Sequence, residues 1–134
     1  MPAKTDRVGL LDFGMGMLMG LVRSGERVLD ERRLIDVHKG FVVAFQTVEA
    51  ELGNERLRFW MTTGYHGTSP DVDRIFNYWL GTGYVTKDAP GTIYRFHLTK
   101  DEASERLETF VGGADAYDKA VTAFVDYMNT HHSS

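Results

Sequence analysis

The sequence predicts a mainly α fold with one small β-hairpin, built as a single domain over residues 1–134. Three observations predict it. Apolar residues recur at three-and-four spacing through most of the chain. Period-two alternation after a glycine stop is clearest between Tyr84 and Leu98. Each helical stretch opens on a capping residue or closes on glycine.

Asp6 is a plausible cap for a first helix ending near Arg23, with Gly25 as its stop. Gly9, Gly14, Gly16 and Gly20 each weaken that helix by roughly 1 kcal/mol relative to alanine. Close-packed neighbours must compensate, or the segment is not one straight helix. Met15, Met17 and Met19 can fill irregular gaps, in a core or at a dimer surface. Asp30 reads as the next cap, before Leu34, Val37, Phe41, Phe45, Val48 and Leu52 on one stripe, with Gly53 closing the helix. Residues 54–63 alternate Leu57, Phe59 and Met61 with Arg56, Arg58 and Trp60, which suits a short strand or extended segment.

Ser69-Pro70 starts the third helix, because serine caps and proline gives up an amide that has no partner at that position. Its buried stripe is Val72, Ile75, Phe76, Trp79 and Leu80, and Gly81 and Gly83 end it. Residues 84–87 form a strand, Asp88-Ala89-Pro90-Gly91 the turn, and residues 92–98 the return strand, with Tyr94, Phe96 and Leu98 on one face. Thr99 and Glu102 form a capping box that opens a fourth helix, with Ala103, Leu107 and Phe110 inward. After Gly112-Gly113 a last helix starts near Asp115 and runs to about residue 130. Residues 131–134 are a frayed tail.

Composition narrows the chemistry. The chain is 43% hydrophobic and 25% charged, enough for a core without staples. It has no cysteine, which excludes disulfides, thiolate metal sites and cysteine nucleophiles. The net charge of −4 is concentrated beyond residue 100, where seven acids face two bases. No stretch reads as a signal peptide or a membrane span, so the expectation is a cytoplasmic protein without a membrane partner. No HExxH, GxSxG, Walker or strand-linked GxGxxG pattern is present. Neither a catalytic residue, a metal site nor a cofactor is expected, and the chain is not read as an enzyme.

The run DRIFNYWLGTGYVTKDAPGTIYRFHLTKDEASERL resembles the winged helix-turn-helix superfamily. It has a helix, a glycine before a short apolar strand, a polar wing tip, and a second strand ending in Leu98-Thr99 before a further helix. The resemblance covers residues 29–99, leaving residues 100–130 as C-terminal helices. It implies a winged-helix core with flanking N- and C-terminal helices, and a DNA-binding transcriptional regulator like those of the MarR and PadR types. In those regulators the flanking helices make a homodimer. The loop GYHGTS, with Arg32-Arg33-Leu34 and Lys39 on the preceding helix, is similar to the SocA-like antitoxin or Panacea-domain group. That group's Gly-Pro is replaced here by His66-Gly67.

On this resemblance the third helix is the reading helix. Its stripe leaves Asp71, Asp73, Arg74, Asn77 and Tyr78 outside. Arginine can take guanine O6 and N7, and asparagine adenine N6 and N7, so Arg74 and Asn77 suit double-stranded DNA. Lys87 and Arg95 would touch phosphates from the wing, and Arg56 and Arg58 would flank it. Asp71, Asp73 and Asp88 oppose that role, and the carboxylates also suit a helix N-terminus. The alternative is a protein-interaction or antitoxin-like module that kept the fold without DNA binding, with Trp60, Tyr65 and Tyr78 as anchors. His38, near the apolar side of the second helix, reads as a buried, satisfied histidine.

Overall fold

The computed structural model describes residues 8–30, 34–61, 67–88, 93–110 and 113–130. Five helices and a small antiparallel sheet follow one another as α1 (Leu10–Arg23), β1 (Val28–Asp30), α2 (Leu34–Leu52), a 3₁₀ turn (Asn54–Arg56), α3 (Pro70–Thr82), β2 (Val85–Lys87), β3 (Ile93–Phe96), α4 (Lys100–Leu107) and α5 (Gly113–Thr130). The sheet order is β1-β3-β2. The fold is mainly α with a small hairpin, as the periodicity predicts.

Three of the four glycines of the first apolar run find their explanation in packing. A Cβ on Gly16 would fall within the ring of Tyr117 on α5. One on Gly20 would lie 2.7 Å from Val121, and one on Gly14 2.9 Å from Ile75 on α3. The missing side chains let α5 and α3 press against the α1 backbone, and dispersion gained at that distance offsets the weak helix propensity. Phe13, Met17, Leu18, Met19, Leu21 and Val22 are all essentially inaccessible. Hence α1 is the centre of the core and offers no free apolar stripe for a dimer. It is also shorter than its sequence suggests. Gly9 sits in extended conformation before it, and its N–H donates to the Asp12 carboxylate at 3.0 Å. Asp6 lies outside the described residues.

The second helix packs its aromatic stripe on two neighbours. Phe41 meets Phe124 of α5 edge-on at 5.2 Å and Phe76 of α3 at 5.4 Å between ring centroids. Gly40 permits the first approach, since a Cβ there would stand 2.7 Å from Phe124.

Two stretches gain partners the sequence does not show. Asp30, read as the cap of the second helix, ends β1, whose Val28, Leu29 and Asp30 pair with Arg95, Tyr94 and Ile93. Residues 31–33, between it and α2, lie outside the described residues. The pairing buries Leu29. Of the two alternatives for residues 54–61, no strand forms. Only Leu57 bridges, in parallel, to Val8, where Arg56 C=O accepts from Val8 N–H and Arg58 N–H donates to Val8 C=O. Phe59 turns inward onto Phe13 and Phe45, while Trp60 is left 65% exposed.

The hairpin matches its reading. Val85 pairs with Phe96 and Lys87 with Tyr94, and Tyr94, Phe96 and Leu98 are buried. Asp88 is described, whereas residues 89–92 of the turn and its return lie outside the described residues. Gly83 takes φ +84°, a left-handed stop that glycine adopts without strain. Thr99 and Glu102 make the reciprocal box: Thr99 N–H donates to Glu102 Oε1 at 2.9 Å, and Glu102 N–H to Thr99 Oγ1 at 3.1 Å. That backbone bond holds the Glu102 carboxyl below its usual pKa. The last helix is described from Gly113, two residues before Asp115.

The glycine packing has a measurable signature. Gly16→Ala should destabilise the protein by about 1–3 kcal/mol through overpacking against Tyr117, despite a better helix propensity. Gly81→Ala is the matched control, since nothing lies within 4 Å of its would-be Cβ. It should stabilise by roughly 0.5–1 kcal/mol in the same urea titration.

Candidate nucleic-acid interface

Helix α3 buries one face and is tied by a hydrogen bond near each end. Near its C-terminal end Trp79, fully buried, donates its indole N–H to Gly14 C=O at 2.9 Å. That carbonyl belongs to α1, so α3 is tied to the centre of the core. At its N-terminal end the Ser69 N–H donates to His38 Nδ1 of α2 at 2.8 Å. His38 is 1% exposed, packs edge-on to Phe76, and lies with Nε2 3.6 Å from Asp73 Oδ1. An Nδ1 that accepts leaves the ring proton on Nε2, on the side of that carboxylate.

Ser69 therefore anchors the helix by its backbone, not by the side-chain cap its type suggests. Its Oγ is buried and makes no hydrogen bond. His38, Ser69 and Asp73 contain the residue types of a hydrolytic triad without its geometry. The histidine receives the serine amide rather than the hydroxyl, and the hydroxyl is inaccessible to substrate. His38 is buried, as its position suggests, and its Nδ1 accepts the Ser69 amide. Its partner at Ser69 has no signature in the sequence, because the contact joins two separate elements.

With Val72, Ile75, Phe76 and Trp79 buried, the outer face of α3 presents Arg74, Asn77 and Tyr78 at spacing i, i+3, i+4. Arg74 has 71% of its side chain in solvent, with Asp71 at 3.8 Å, a contact too long and too exposed to restrain it strongly. Asp73 is also largely exposed.

The ribbon divides its cations between two sides. Thr86 stands opposite Arg95 and Lys87 opposite Tyr94. Directly paired residues share a face and successive residues alternate, so Lys87 and Arg95 point to opposite faces of the sheet. Tyr94 and Phe96 pack on Phe76 and Trp79, which places Lys87 on the α3 side. Its ammonium lies 4.9 Å from the Tyr94 ring centroid. Arg95 is on the far face and is already engaged. Its Nε donates to both Asp88 carboxylate oxygens, at 3.0 and 3.1 Å, and Asp88 raises its pKa. Thr86 and His97 make their own 2.7 Å contact.

Of the residues expected at a DNA surface, Arg74, Asn77 and Tyr78 share the outer face of α3, and Lys87 lies on the sheet face that packs against the buried stripe of α3. Arg95 does not join them. Arg56 and Arg58 flank the Val8–Leu57 bridge at the N-terminal end of α1. Tyr65 and His66, with Arg32 and Arg33, lie outside the described residues. Among the described residues no group of three His, Asp or Glu side chains could hold a metal ion. Among them, too, no helix is long and apolar enough to cross a membrane.

The tether makes a direct prediction. His38→Leu keeps an apolar side chain but removes the acceptor of a buried amide. Stability should fall by about 1–3 kcal/mol, the cost of leaving such a donor unpaired. The Ser69 amide should exchange with solvent faster than in the parent chain, as read by NMR.

The chain matches no family model, no curated protein and no solved structure.

Proposed function

We propose that the chain is a winged-helix DNA-binding regulator that reads double-stranded DNA with the outer face of α3. The observation that carries the reading is the exposed surface formed by Arg74, Asn77 and Tyr78 on α3, with Lys87 on the adjacent ribbon. The order helix, strand, helix, helix, strand, strand, with the strands arranged β1-β3-β2, resembles the winged-helix layout. In that layout the second helix of the pair enters the major groove and the hairpin lies beside it. Arg74 would take guanine, Asn77 adenine, and Lys87 a flanking phosphate.

The electrostatics shape the kind of binding. Non-specific affinity grows with the number of phosphates neutralised, and log K falls with log salt by about 0.9 for each. This face supplies few free cations, while Asp71 and Asp73 lie at the leading end of α3. Binding should therefore be weak on random duplex, shallow in salt dependence, and dependent on base contacts. A homodimer through both flanking helices is not part of the proposal, because α1 is inside the core.

A second reading, a protein-interaction module, is favoured by Trp60, a large aromatic held 65% exposed. Selection from a randomised duplex pool at low salt, followed by fluorescence anisotropy on the enriched site, separates the two. The DNA reading expects a preferred sequence, and a loss of roughly tenfold or more in affinity with Arg74→Ala. No duplex binding even at low salt would leave the protein-interaction reading standing alone.

A further inference from the structure

A hollow of about 230 Å³ lies between β1 and the C-terminal half of α5. Leu21, Leu29, Phe124, Val125 and Met128 give it an apolar floor, and Glu26 and Asp30 stand in its wall. A second hollow, of about 220 Å³, continues from it, sharing Glu26 and Val125 and adding Asp126. Among the described residues, the lining of the two includes three carboxylates and no lysine or arginine. Val28, at the sheet edge, is exposed beside them. The trough shares no residue with the α3 face.

Each hollow is smaller than the 300–1,000 Å³ or so of a typical small-molecule site. We propose that this trough docks a short amphipathic segment of a partner protein, one that carries lysine or arginine beside an apolar anchor. Charge complementarity chooses this occupant. Glu26 and Asp126 are exposed and border apolar surface, so cations one helical turn from the anchor would meet them as it inserts. A second copy of this chain is disfavoured, because a symmetric contact would bring the same carboxylates face to face. Recognition of a helix by apolar anchors at i and i+4 in a groove is a recurring mode of peptide binding.

The test uses the full chain, ¹⁵N-labelled, and two synthetic 14-residue amphipathic peptides of identical leucine pattern. One has lysine at every polar position and the other glutamate. The proposal expects saturable shifts with the lysine peptide at the amides of Val28, Val125, Met128 and Asn129, and none with the glutamate peptide. The double variant Glu26→Lys, Asp126→Lys changes two exposed positions. It should retain the parent's circular dichroism and bind the lysine peptide at least tenfold more weakly. Three results would overturn the proposal: no saturable shift at these amides with millimolar lysine peptide, equal binding of the glutamate peptide, or unchanged affinity in the folded double variant. Concentration-dependent shifts at the same amides without peptide would also overturn it, in favour of self-association.

Discussion

The close approach of α5 and α3 to the backbone of α1 is the constraint on which the rest of the structure depends. Three glycines make it possible, and each is matched by a specific side chain: Gly14 by Ile75, Gly16 by Tyr117, Gly20 by Val121. Tight contact along a helix axis requires small residues on one partner and shaped side chains on the other. It also has a local cost. The Tyr117 ring is buried so deeply that its hydroxyl makes no hydrogen bond, and burial, with Asp12 adding repulsion, pushes its pKa upward. Packing of the ring evidently outweighs the unsatisfied hydroxyl, since a buried aromatic contributes several kcal/mol of transfer energy against about 1–3 for the lost bond.

That constraint sets the position of the candidate interface. Because α1 lies at the centre, Gly14 can offer both a surface for Ile75 and a carbonyl for the Trp79 indole. The far end of α3 is tied through His38 to α2. A helix fixed at both ends keeps its outer face in one orientation, as a reading surface needs. The charges on that surface are less one-sided than its geometry. Asp88 engages Arg95, Asp71 approaches Arg74, and Arg23 and Lys119 meet Asp118 and Glu51 elsewhere. These exposed pairs add little stability, but they lower the field available to attract phosphates. The proposed binding mode, dependent on base contacts more than on field, follows from that pairing of charges.

The features legible in the sequence are those encoded within a few adjacent residues. Ser69-Pro70, Gly83 and the Thr99–Glu102 box each bound an element where the structure has one. The periodicity of α3 also identified its outer face, because burial follows from spacing alone. Elements defined by distant partners were not legible. Leu29 becomes a strand residue only because Tyr94 lies beside it, and Leu57 bridges only because Val8 returns to it. The opposed directions of Lys87 and Arg95 follow from strand alternation, but joining them to α3 required knowing which face the helix covers. The glycines of α1 were visible as an anomaly, whereas Ile75, Tyr117 and Val121 as their partners were not.

Native-state hydrogen exchange tests the central claim, that α1 is the close-packed centre to which the other elements are fastened. In the most stable parts of a protein, amides exchange only on global unfolding, whereas fastened elements can open locally at lower free energy. Slowest exchange is expected at the amides of Met17 through Leu21, with protection equal to the global unfolding free energy, and faster exchange in α4 and the β2–β3 ribbon. The account would be contradicted if the α1 amides exchanged through local opening while α2 and α5 remained protected.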